Sequence, residues 1–79
     1  MKKIKLPKSQ MFVLEKYGLI FVGNLEDYDI DNNMIFLDDN YEEFKIKKFR
    51  WHLTVNPHKI QILFDKSYLP KGDLRLMEN

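Results

Sequence analysis

The sequence predicts an all-β domain of short antiparallel strands, and three observations carry that prediction. Six Phe, four Tyr and one Trp favour a pleated surface over a helical one. Apolar and polar residues alternate, as in Phe44-Lys45-Ile46-Lys47 and again from Phe49 to Val55, instead of recurring at helical spacing. Gly, Asn and Asp interrupt these runs. Gly enters turn conformations at little steric cost, and Asn and Asp hydrogen-bond their own backbone there.

Residues 1–10 read as a basic N-terminal arm carrying Lys2, Lys3, Lys5 and Lys8, a solvated tail with the chemistry to reach phosphates. Pro7 lacks an N–H and clashes with a preceding turn, so no regular helix runs through the arm. The folded domain is expected over 11–79. Its organising stretch, 13–37, reads as a three-stranded meander: a strand at 13–17, a turn at Gly18, a strand at 19–25, an acidic corner at 26–33 and a third strand opening at 34–37. Leu19, Ile20, Phe21 and Val22 are consecutive hydrophobes, which predicts burial on both faces. The alternation from Phe44 to Ile46 and that from Phe49 to Val55 are one residue out of phase. A bulge near Lys47 and Lys48 reconciles them. Asn56-Pro57-His58 is a turn signal, so 44–64 is expected as a long hairpin. A short last strand is expected around Leu74 to Leu76.

Seventy-nine residues make one domain with a small core. Without cysteine there is neither a disulfide framework nor a Cys-based zinc site, and oligomerisation is the staple that is left. No apolar run is long enough to cross a membrane, so a soluble cytoplasmic protein is expected, with no membrane partner. The net charge of +1 hides a strong segregation. Residues 24–43 hold eight acids and no Lys or Arg, while Lys45, Lys47, Lys48 and Arg50 form a basic cluster. His52 and His58 are the only histidines, and no nucleophile–base set or phosphate loop accompanies them, so neither an enzyme nor a cofactor is expected. Asp27, Asp29, Asp31, Asn33 and Asp38 fall at the first, third, fifth, seventh and twelfth positions of a calcium-binding EF-hand loop. Asn32 stands where that loop needs Gly and Asp38 where it needs Glu, between strands instead of helices, so no metal site is assigned.

Gly18, Gly23, Leu25, Tyr28, Asp29 and Asn33, followed by Met34-Ile35-Phe36-Leu37, resemble in spacing the first motif of the Sm-like family (Sm, LSm and bacterial Hfq proteins). Lys71-Gly72-Asp73 resembles its second motif, usually Arg-Gly-Asp or Arg-Gly-Asn, with Lys in place of Arg. The resemblance implies a small, strongly bent, five-stranded antiparallel barrel of SH3-like type, with the N-terminal helix short or absent. It implies a homo-oligomeric ring of about five to seven subunits closed by edge-strand pairing. It also implies a single-stranded RNA-binding or RNA-chaperone role through pore-side loops. Carried over, Asn33 contacts a base edge, Asp29 braces its loop, Lys71 takes the Arg position, and Gly72 and Asp73 complete the pocket. The position that stacks on the base falls at Asp31, which has no π-face and so forgoes roughly 1–3 kcal/mol of stacking per base. The alternative function is a small non-enzymatic protein-interaction module, cellular or viral, whose acidic corner engages a basic partner.

Overall fold

In the computed structural model, which describes residues 4–24, 30–52 and 58–77, the strands make one antiparallel sheet. In chain order they are β1 (Lys5–Leu6), β2 (Met11–Leu14), β3 (Gly18–Asn24), β4 (Ile35–Leu37), β5 (Glu43–His52), β6 (Lys59–Phe64) and β7 (Leu74–Leu76), with one 3-10 turn at Lys8–Gln10. Their order across the sheet is β1-β7-β4-β5-β6-β3-β2, and the sheet curls into half a barrel. The all-β expectation holds. The expected strand count of five does not, because seven strands are present among the described residues. The excess comes from short pieces: β1 has two residues, and a corner at 38–42 stops the three-residue β4 from running on into β5. No helix among the described residues is long and apolar enough to cross a membrane.

The ten-residue β5 bends the sheet. Its first residues pair with β4, Lys45 opposite Ile35 and Phe44 opposite Phe36; from Ile46 onward it pairs with β6. Ile46 faces Phe64 and Lys48 faces Leu63, so Lys47 is the extra residue of a bulge. This is the irregularity that the phase slip predicts. It rotates the strand so that Phe44 and Ile46 before it, and Phe49 and Trp51 after it, all turn to the concave side. Phe64 packs there edge to face against Phe36 (5.9 Å between centroids) and Phe44 (6.4 Å). Leu19 and Phe21 of β3 and Ile60 and Ile62 of β6 complete the floor of this core. Fully burying one such side chain stabilises by roughly 1.5–3 kcal/mol.

β3 is buried on both faces from Leu19 to Phe21, as its run of hydrophobes predicts. Leu19 and Phe21 face the core; Ile20 faces the other way, opposite Leu63 of β6. This strand explains why the expected three-stranded meander is incorrect. The β2–β3 hairpin is present, with Leu14 opposite Gly18, but β3 then pairs over five residues with β6, not with β4. A strand apolar on both faces gains more from the six-residue, mostly apolar β6 than from three residues of β4. β4 lies between β5 and β7 instead. Residues 4–10, expected as a solvated arm, contribute Ile4 and Leu6 to the core, and β1 pairs with β7.

Gly18 closes the hairpin with φ of 108°, a conformation that side chains with a Cβ rarely adopt. A Cβ there would stand 2.9 Å from the Lys66 carbonyl oxygen, which accepts the Leu19 N–H. Gly18→Ala is expected to destabilise the fold by about 1–3 kcal/mol through backbone strain, read as a lowered urea midpoint with an unchanged slope.

Candidate nucleic-acid interface

The residues expected to form one binding pocket fall at two places. Asp31 and Asn33 are exposed before β4, and the Asn33 N–H donates to Asp31 Oδ1 at 2.8 Å, a local turn that Asp forms with its own backbone. Lys71, Gly72 and Asp73 precede β7. Because Leu37 lies opposite Arg75 and Phe36 opposite Leu76, this triplet sits beside the far end of β4, next to Asp38 and Asp39. Within one chain the structure therefore does not bring Asn33 to Lys71. Asp29 lies outside the described residues.

The Lys71-Gly72-Asp73 turn is built around Asp38, which the sequence placed in an acidic run and at the twelfth position of an EF-hand-like spacing. Asp38 is fully buried. Its Oδ1 accepts the N–H groups of Asn40 and Glu42, both at 2.9 Å, and its Oδ2 accepts that of Lys71 at 3.0 Å. Burial alone pushes the Asp38 pKa up; the N–H groups of Lys71, Glu42 and Asn40 together outweigh it, and the carboxyl sits below its ordinary value. The same corner holds Tyr41 at φ of 61°, with its N–H on the Asp38 carbonyl. Gly72, at φ of 92°, leaves room for the Asp39 side chain. Asp73 accepts the Lys8 N–H at 2.8 Å, which holds its carboxyl low, and its other oxygen lies 3.4 Å from Lys5 Nζ. All three residues of the triplet thus have structural duties. The signal was present in Asp38-Asp39-Asn40, an Asx-rich corner between two strands.

Basic residues gather elsewhere, on the convex face of β5 and β6. After the bulge, Lys48, Arg50 and His52 point away from the core, and Lys59 and Gln61 of β6 do the same. The register sets Arg50 opposite Gln61 and His52 opposite Lys59, while Val22 and Asn24 of β3 continue the two rows. Lys48, Arg50 and Lys59 are exposed. Glu43, at the start of β5, is the acid on this face; beyond the bulge no acid occupies a described position of β5 or of the β3 and β6 residues paired with it, and no described carboxylate lies within ion-pair reach of Lys48, Arg50 or Lys59. Sequence reasoning singled out Lys45, Lys47, Lys48 and Arg50. It missed Lys59, which joins the group only through the β5–β6 register. Trp51 and Phe49, on the opposite face, pack against the core and are not presented as stacking platforms.

The chain matches no protein-family model, no curated protein and no solved structure.

Proposed function

We propose that this chain is a non-enzymatic β-module that binds single-stranded RNA through its convex basic face, with Lys48, Arg50 and Lys59 contacting phosphates and His52 and Gln61 offering hydrogen bonds. The supporting observation is the pair of cross-strand rows at Arg50 and His52: beyond the bulge they form a convex surface without acids at the described positions, with cations held in register by the sheet. Such a surface neutralises backbone phosphates and reads little sequence. The Sm-like reading is supported by the spacing of residues 18–37 and by the small curled antiparallel sheet. The strand order, with β3 and β4 apart, speaks against it, and RNA binding on β5 and β6 does not depend on it.

Three phosphate contacts to a single strand predict a slope of roughly −2 in log affinity against log salt, at about −0.7 per contact. Lys48→Ala combined with Arg50→Ala is expected to weaken binding and make that slope shallower by about 1.4. Asn33→Ala separates the two candidate surfaces. Binding on the convex face leaves its affinity unchanged, whereas the pore-side pocket implied by the family resemblance loses affinity.

A further inference from the structure

The outer edge of β2 has no strand neighbour among the described residues, and the direction of its free backbone groups follows from the ladder. Leu19 donates its N–H to the Lys66 carbonyl at 2.9 Å, away from β2. Val13 and Leu19 are therefore a pair that does not exchange hydrogen bonds, and the N–H and C=O of Val13 point outward from the sheet. Met11 shares that phase but gives its N–H to the Lys8 carbonyl. The side chains here are apolar and in solvent: Phe12 is 42% exposed, Val13 39% and Leu14 41%. Edge strands ordinarily carry a charge, a proline or a bulge that blocks further pairing. Met11-Phe12-Val13-Leu14 carries none of these. The opposite edge is blocked. β1 has two residues, and Leu76 donates to the Ile4 carbonyl, so only Lys5 turns its backbone groups outward. Pro7 has no N–H, and that of Lys8 is taken by Asp73.

We propose that β2 pairs antiparallel with β2 of a second copy of this chain, about a two-fold axis at Val13. A residue on such an axis must meet itself, and Val13 has the outward N–H and C=O with which two copies exchange two hydrogen bonds. In this register Phe12 lies opposite Leu14 of the second copy, twice, on the convex face beside Ile20, the residue that pairs with Phe12 in β3. Glu15 falls opposite Met11 and Lys16 opposite Gln10, so no like charges meet. The inequality of the two edges selects this arrangement over head-to-tail closure. A β2 edge has a full strand to offer another β2 edge, whereas β1 offers the groups of one residue. The dimer does not rest on the RNA reading, though it places two basic rows on one continuous sheet.

Sedimentation equilibrium of the full chain at two concentrations tests this, together with hydrogen exchange at the Val13 amide. Expected are a mass of twice 9.6 kDa at the higher concentration, Val13 exchange that slows as concentration rises, and the single-chain mass for Leu14→Lys with an unchanged far-UV spectrum. If Leu14→Lys fails to fold, the concentration dependence of Val13 exchange in the unaltered chain decides. A single-chain mass at both concentrations would overturn the proposal and leave the edge to a strand of a different protein. A mass of several chains would overturn it in favour of head-to-tail closure. A dimer with concentration-independent Val13 exchange would place the interface elsewhere and overturn it too.

Discussion

Asp38→Ala is expected to lower the stability of the fold by about 3–5 kcal/mol, a large share of the roughly 4–12 kcal/mol that a chain of this length possesses. Three backbone N–H groups, of Asn40, Glu42 and Lys71, converge on that carboxylate in a site closed to water. Alanine leaves them without an acceptor, and the cost of an unsatisfied buried donor is larger than the net worth of the bond it replaces. The loss is not local. The N–H groups on Asp38 tie the 38–42 corner, which sets the entry into β5, to the turn that sets the entry into β7. Asp38→Asn is expected to fall between the two, because the amide keeps one acceptor oxygen but turns an NH2 toward donors. Urea denaturation of the three proteins measures this; a change below about 1 kcal/mol for Asp38→Ala would show that the corner holds without the acid.

The same carboxylate makes stability depend on pH with a definite sign. Its folded pKa lies below 3.8, the ordinary value that the unfolded chain restores. The stabilisation is therefore fully present above 3.8 and is lost as pH falls through the lower folded value. Asp73 is shifted the same way and adds to the same window. The denaturation midpoint is expected to decline on acidification below that point, less steeply in Asp38→Ala than in the unaltered chain.

Phe64→Ala is expected to cost about 3–5 kcal/mol and to bring the protein to the margin of unfolding at room temperature. Phe64 ends β6 opposite Ile46, where the bulge turns β5, and its ring meets Phe36 and Phe44 edge to face. One truncation therefore opens a cavity between both halves of the sheet and removes two aromatic contacts, each worth roughly 0.5–1.5 kcal/mol beyond burial. Near-UV circular dichroism is expected to lose intensity along with the urea midpoint. Phe64→Leu, which keeps most of the volume, is expected to retain the fold. Equal losses for both variants would mean that ring geometry outweighs filling.

What could be read from the sequence was local. Gly18 marked a hairpin because the turn demands a conformation that other residues resist. The bulge at Lys47 was visible because side chains on a strand alternate with period two, so one extra residue shifts every later side chain to the other face. The antiparallel β5–β6 pairing followed from two apolar alternations; Asn56 and Pro57 of the expected turn lie outside the described residues. Long-range choices were hidden. Nothing in residues 19–37 tells β3 to take β6 and leave β4 to β5 and β7, since both partners are apolar and the difference lies in how much surface each pairing buries. Ile4 and Leu6 alternate with Lys5, a two-residue strand signal overwritten by the lysines around it. The candidate site shows the same division. Lys48 and Arg50 were legible as a basic run, but Lys59 enters only through register, and Asp38 could not be told from its acidic neighbours until the loop at Lys71 closed over it.

Whether the convex face of β5 and β6 binds RNA is decided by fluorescence anisotropy of a labelled single-stranded RNA, titrated at two salt concentrations. Expected are binding by the unaltered chain that weakens with salt, binding by Asn33→Ala that is indistinguishable from it, and a weaker, less salt-sensitive interaction for the Lys48→Ala, Arg50→Ala variant. No binding at low salt, or equal binding by the double variant, would contradict binding on this face.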